Sequence, residues 1–315
     1  MYRLVKAAST SLLVGVMLVP ATDAWAQRIV PNRVGATEAI QDRKSSVGLI
    51  VESSFATETP FVRDVLFAPS EAQGLGQVGP TASGEFVTGR VSSYVAVPYI
   101  VTAAFVPIDL PLPDLYEFEW NHGLGDARAG VSVDLLRQRP GTTSAPITFT
   151  VSTDVLAPTG MSRFESAEIP LGNGFWNVSL GAGVSRTLGG SRLVFANGGY
   201  VHRPPRTFER GELRFREATL TPGSIRFARA GFGFVAGESI VNLQIERTWV
   251  GGVIDDRQVV VEPEFVLTRV GVQVAVNRDR GLGGSVFAGL EMNEGDVRLT
   301  ATFALPLVRI VGVDF

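Results

Sequence analysis

The chain has 315 residues, with 28 Lys and Arg against 31 Asp and Glu, a net charge of −3, and no cysteine. That balance excludes a nucleic-acid binder recognised by charge, and the missing thiols exclude a disulfide scaffold or a thiolate metal site. Burial, hydrogen bonding or a bilayer has to hold the fold together.

Residues 1–26 read as a cleavable signal peptide. Arg3 and Lys6 give a positive start, Leu12 to Val19 form a short apolar core ending at Pro20, and Ala24-Trp25-Ala26 fits the small-x-small cleavage rule. Cleavage after Ala26 leaves Gln27 first in the exported chain. The apolar run is less than half of the ~20 residues that a membrane-anchor helix needs. Without the leader the chain has 26 basic and 30 acidic residues, and Lys44 is its only lysine. No second apolar run approaches the ~18 residues of a spanning helix, so any membrane crossing has to use strands.

Residues 27–45 are polar and aperiodic, as in a flexible periplasmic lead-in. From residue 46 to 315 the dominant period is two, which predicts strands. Val47, Leu49, Val51 and Phe55 oppose Ser46, Gly48, Glu52 and Ser54. Ala129, Val131, Val133 and Leu135 oppose Arg128, Gly130, Ser132 and Asp134. Ile147, Phe149, Val151 and Val155 oppose Thr148, Thr150, Ser152 and Asp154. Trp176, Val178, Leu180, Ala182 and Val184 oppose Asn177, Ser179, Gly181, Gly183 and Ser185. Val241, Leu243, Ile245 and Trp249 oppose Asn242, Gln244, Glu246 and Thr248. Val297, Leu299, Ala301, Phe303 and Leu305 oppose Arg298, Thr300 and Thr302. A transmembrane barrel with a polar lumen and a soluble sandwich with a dry core both produce this alternation. Length separates them better. Several runs extend over 10–14 residues, against ~5–6 for a globular strand and ~9–11 for a spanning one.

Connections alternate in length. Residues 56–84, 106–126, 157–174 and 204–223 read as long, 138–145 as intermediate, and 188–191 and 236–239 as short. From a periplasmic amino-terminus, every long connection falls on the outer side, the asymmetry of outer-membrane barrels. Trp176, Tyr200 and Trp249 then fall near the outer strand ends as an aromatic girdle. Residues 258–276 read as one strand with a phase slip near Thr268-Arg269, or as two strands. Residues 297–315 raise the same choice at Pro306. Neither site carries tight-hairpin chemistry, so bulges and about 12 strands are preferred, with 14 as the alternative. The final strand ends on Phe315. A cysteine-free exported chain of alternating strands with an aromatic carboxy-terminus resembles a bacterial outer-membrane β-barrel, whose assembly machinery reads such an end. The expected fold is therefore an all-β antiparallel transmembrane barrel over 46–315, set in outer-membrane lipid.

Three motifs follow one another in the middle of the chain. Asn121-His122-Gly123-Leu124-Gly125-Asp126 leads into a strand, Ala157-Pro158-Thr159-Gly160 ends the next, and Leu171-Gly172-Asn173-Gly174-Phe175-Trp176 opens another. This order resembles the outer-membrane family named after the meta-pathway of phenol degradation, best over residues 118–250. The family more often has Leu where Ala157 stands. The resemblance implies passage of small hydrophobic or aromatic permeants across the outer membrane. On their own chemistry, Gly123, Gly125, Asp126, Pro158, Thr159, Gly160, Gly172 and Gly174 read as turn punctuation.

His122 and His202 are the only histidines. Neither sits in a metal-ligand pattern and no Gly-x-Ser-x-Gly is present, so no catalytic residue, metal or cofactor is expected. Gly281-Leu282-Gly283-Gly284 reads as a hairpin loop. Arg128, Asp134, Asp154, Asn242, Gln244, Glu246, Glu262, Glu264 and Arg298 fall on the polar faces and are the lumen candidates, either as a charged constriction or as a solvated wall with cross-strand ion pairs. Arg247 falls on the apolar face beside Trp249, where it could snorkel or meet a lipid phosphate. Arg203, Arg206, Arg210, Arg214 and Arg216, with Glu209 and Glu212, make a charged loop, and Arg226 lies just beyond. A structural or adhesive barrel without an open pore, a lipid-modifying barrel enzyme and a secreted β-sandwich binding module are the competing readings.

Overall fold

The computed structural model describes residues 46–56, 73–107, 116–138, 147–162, 171–188, 192–208, 218–236, 239–256, 260–262, 264–276, 285–293 and 296–311. The leader, the lead-in, Phe315 and the loop 281–284 lie outside the described residues. Among those described there is no helix, and the chain is all-β.

The strands are β1 (Ser46–Ala56), β2 (Gln73–Thr88), β3 (Val91–Pro107), β4 (Tyr116–Leu124), β5 (Ala127–Leu136), β6 (Thr148–Ala157), β7 (Asn177–Leu188), β8 (Arg192–His202), β9 (Arg206–Phe208), β10 (Ala218–Pro222), β11 (Ile225–Ala236), β12 (Ser239–Val250), β13 (Val253–Ile254), β14 (Val260–Glu262), β15 (Phe265–Val276), β16 (Ser285–Asn293) and β17 (Asp296–Val311). Thirteen of them form one sheet in the order β2-β1-β17-β16-β15-β12-β11-β8-β7-β6-β5-β3-β4, and β2 also pairs with β3. Every ladder is antiparallel, and tight hairpins such as the one between β2 and β3 allow no other arrangement. β3 changes partner along its length. Val91–Ala96 pair with β5, and Tyr99–Pro107 pair with β4. Strands β14, β13, β10 and β9 make a separate small sheet.

Several connections differ from the sequence reading. The stretch 56–84 contains most of β2, which pairs with both β1 and β3. Its Gly- and Pro-rich sequence masks the alternation, but a strand held on both edges needs little propensity of its own. β2 and β3 meet in a two-residue turn at Gly89-Arg90, where Gly89 takes φ 59°, the left-handed angle such hairpins require. The stretch 106–126 contains β4, and 204–223 contains β9 and β10. Residues 258–276 divide between two sheets, β14 in the small one and β15 in the large one, with Pro263 between them in the sequence. β15 pairs with β12 and β16 without a register shift, so the slip expected at Thr268-Arg269 does not occur. β17 runs unbroken past Pro306. Its ladder to β1 slips there instead, with Leu49 opposite Val308 and Ile50 opposite Pro306, leaving Leu307 unopposed. A proline cannot donate to the ladder, and a bulge accommodates it.

The two faces of the large sheet have opposite chemistry. Val95, Val97, Leu180, Leu243, Ile245, Val272, Leu290 and Leu299 are exposed, with Leu243 at 50%. Ser92, Ser132, Asp134, Thr150, Ser152, Asp154, Ser179, Asn242, Glu246 and Thr248 are buried. A sandwich in water would reverse this arrangement, because apolar burial is its main driving force.

Candidate functional site

The polar side chains of the buried face fall into register. Paired residues on adjacent strands share a face, and one row crosses nine strands: Asp134, Thr150, Gly183, Asn197, Arg229, Glu246, Arg269, Glu291 and Arg298. Thr150 donates to Asp134 Oδ1 at 2.7 Å. Arg229 holds Glu246 through Nε at 2.7 Å and through a second bond from Nη2, and Arg269 holds Glu291 in the same way with Nε at 2.9 Å. Thr248 adds a long 3.4 Å bond to the Glu246 carboxylate. The Arg229, Glu246, Arg269 and Glu291 side chains are all buried. Alternation of sign along the row lets each charge answer its neighbour, which buried charges require. A parallel polar cluster joins Tyr94, Asp154 and Ser179. The Tyr94 hydroxyl donates to Asp154 Oδ1, and Ser179 Oγ lies 3.3 Å from Asp154 Oδ2.

Aromatic rings flank the charged row. Phe227 lies against Gly199 so closely that a Cβ there would sit 2.7 Å from the ring. Phe195 lies against Gly231, and Phe287 against Gly271 and Gly289. Arg269 stands 5.7 Å from the Phe287 ring centre. The glycines make room for flat rings, so phenyl groups lie beside the self-neutralised polar row on the buried face. On the same face the Asn242 carboxamide is buried with neither its oxygen nor its nitrogen hydrogen-bonded.

The motif glycines and Asp126 converge at the junction of β4, β5, β6 and β7. Asp126 is 1% exposed and accepts from the Gly160 amide at 3.0 Å and the Asn173 amide at 2.7 Å. Thr159 Oγ1 donates to the Gly125 carbonyl at 2.6 Å and accepts from the Ala127 amide at 2.8 Å. Asn173 Oδ1 accepts from the Phe175 amide at 2.7 Å. Gly160 and Gly172 touch through their backbones, so that a Cβ on Gly160 would meet Gly172 Cα at 2.9 Å. Gly174 takes φ 75° against Ser162. Gly123 lies beside Leu171, and Pro158 is half-buried.

This junction leads into a small apolar core. Phe175 meets Phe208 edge-on at 5.6 Å, and Leu220 and Val253 complete the cluster. Arg206 lies 5.0 Å above Phe208 and donates to the Gly174 carbonyl at 2.6 Å. Arg203 donates to the Gly223 and Gly251 carbonyls at 2.7 and 2.8 Å. Burial lowers its pKa to about 10, which leaves the guanidinium charged at neutral pH. Segment 171–176 and the small sheet thus form a cap with its own core at one end of the large sheet.

The sequence-derived lumen candidates separate into two groups. Asp134, Asp154, Asn242 and Glu246 are buried on the polar face, and Arg128 and Gln244 are half-buried there. Arg298 holds its register opposite Glu291. Glu262 stands apart, because it belongs to β14 in the small sheet opposite Val253, and Glu264 is exposed in the step into β15. A continuous strand would have put both on the wall, but the run divides between two sheets, β14 in the small one and β15 in the large one. Arg229, Arg269, Glu291 and Tyr94 were not legible as site residues. Each sits in an ordinary alternating run, and only the register shows its partner. Trp176, Tyr200 and Trp249 are 47%, 43% and 39% exposed on the opposite face. His122 is exposed on β4, stacked on Trp120 at 5.4 Å and 2.6 Å from the Tyr99 hydroxyl. His202 is exposed at the end of β8.

No family model matches the chain, and no curated protein matches it in sequence. Solved structures do share its fold. The COG4313 outer membrane channel from Pseudomonas putida F1 superposes with a TM-score of 0.61 at 13% identity, covering 89% of this chain and all of that one. The fold is that of an outer-membrane β-barrel. The toluene transporter TbuX from Ralstonia pickettii gives a TM-score of 0.40 at 10% identity, covering 91% of this chain and 94% of that one. The translocator domain of the autotransporter NalP from Neisseria meningitidis gives 0.44 at 8%, covering 95% and 97%. Proteins of two different functions thus match about equally at that level, and neither bears on the activity of this chain.

Proposed function

We propose that the chain is an outer-membrane channel for small hydrophobic or aromatic compounds. Its wall would be a closed barrel of twelve strands, with β4 and the small sheet as additions at the outer end. The ladder from β2 to β3 joins the two ends of the strand order and supports closure. Exposed aliphatic side chains would face outer-membrane lipid, and the buried polar row would line the lumen. Export through the leader and insertion by the barrel-assembly machinery at Phe315 complete the proposal.

One observation carries the choice of permeant. The buried face combines paired charges with phenyl rings laid on glycines, and a small sheet with its own apolar core lies at one end. Such an interior offers little to hydrated ions and an apolar surface to aromatic solutes. Asn242, whose carboxamide has no hydrogen-bond partner, is a polar group that such a solute would meet. A fold shared with a protein described as an outer membrane channel is consistent with this reading.

The test pairs two measurements. Intact cells producing the protein should take up a radiolabelled monoaromatic hydrocarbon several-fold faster than cells without it. The refolded protein should show none of the large discrete conductance steps of a general porin in planar bilayers. Unchanged uptake would end the hydrophobic-channel reading. Large steps would replace it with a water-filled pore. A closed structural barrel is the second reading, favoured by the capped end, and it requires silence in both measurements.

A further inference from the structure

We propose that Arg226, Arg247, Tyr200 and Trp249 form a docking site for a phosphate of an outer-leaflet glycolipid. The inference rests on the membrane-barrel reading and adds a specific lipid contact to it. All four residues are exposed on the aliphatic face. Arg226 on β11 stands opposite Tyr200 on β8 and opposite Trp249 on β12. Arg247 stands opposite Ala228, diagonal to Arg226, a spacing of roughly 7 Å. Its guanidinium lies 5.5 Å from the Trp249 ring centre.

Among the described residues, neither guanidinium meets a carboxylate, and the Tyr200 hydroxyl and the Trp249 indole N–H have no acceptor. Arg229 and Arg269, on the opposite face, each hold a glutamate, and Arg203 and Arg206 hold backbone carbonyls. The neighbours of the patch are aliphatic, with Leu180 opposite Tyr200 and Ile245 next along β12 on the same face. Two like charges side by side against hydrocarbon are unfavourable until an anion sits between them. A phosphate fits this donor set. Guanidinium groups bind it through paired N–H bonds, and Tyr and Trp donate from the depth where head groups meet acyl chains. The patch lies within four residues of the strand ends nearest the cap, Arg226 near the start of β11 and Arg247 near the end of β12. In the proposed orientation that is the outer leaflet, where phosphorylated glycolipid is the abundant anion. The cost of the charges is lowest there, because it falls toward zero near the interface.

The full chain refolded in detergent would be mixed with a diphosphorylated glycolipid or with the same lipid stripped of phosphate, and native mass spectrometry would read the lipid retained. Wild type should hold the phosphorylated form. Arg226→Gln with Arg247→Gln should lose about tenfold in retention, as expected for removing charge-assisted hydrogen bonds. Arg186→Gln with Arg192→Gln, exposed near the other ends of β7 and β8, should retain it unchanged. Equal retention by the Arg226/Arg247 pair, or equal retention of the stripped lipid, overturns the site. Boiled and unboiled gel mobility on the same samples separates the causes. A normal shift with unaffected retention sinks the lipid site alone, whereas no shift sinks the barrel reading as well.

Discussion

Asp126 shows what one side chain does for this fold. Its carboxylate satisfies two buried amides from segments 34 and 47 residues away. Leaving a buried amide unpaired costs about 1–3 kcal/mol. Asp126→Ala should therefore lower the urea midpoint of the detergent-refolded protein. Asp126→Asn, which keeps one acceptor oxygen, should recover part of the loss. If both variants unfold like wild type, the junction is held by its glycine contacts and not by this carboxylate. The sequence marks Gly160, Gly172 and Asp126 as turn residues on their chemistry. It does not show that they touch each other, because the contacts close a loop through residues that have no periodicity.

Between strands, the Arg and Glu side chains have to be judged as a row. Removing one partner from a buried pair leaves an unanswered charge and costs about 3–5 kcal/mol. Arg229→Met should therefore destabilise the refolded protein strongly. Arg229→Met with Glu246→Met should be milder than the sum of the two single changes, although Arg269 then loses a neighbour too. Strict additivity in a double-mutant cycle would mean that the pair is not coupled. Alternation within each strand was legible, and it put Glu246 on the polar face. Its partner was not, since register across β11 and β12 is a property of two segments together and a one-residue slip would turn Arg229 to the other face. The same limit explains 258–276, where one alternating run serves two sheets.

For the molecule as a whole, the decisive quantity is which face meets the surroundings. Leu243, half-exposed in the middle of β12, tests it. If that face meets lipid, Leu243→Arg should cost about 2–4 kcal/mol in folding equilibria measured in phospholipid vesicles. On a water-facing surface the same change stays within about 0.5 kcal/mol. A small effect in vesicles would argue for a water-facing sheet and against the barrel in a membrane. Period two, strand length, long and short connections and the absence of cysteine were all properties of the sequence alone. They sufficed for an all-β antiparallel fold of barrel type because alternation is local, although three of the long connections hold strands of their own. A period of two is symmetric between the faces, so the proof of which face is buried came from the tertiary structure, after strand length had favoured aliphatic side out. So did β2, hidden in a Gly- and Pro-rich stretch, and the nine-strand polar row. Each depends on what lies beside a strand, and that is decided only when every strand has found its neighbour.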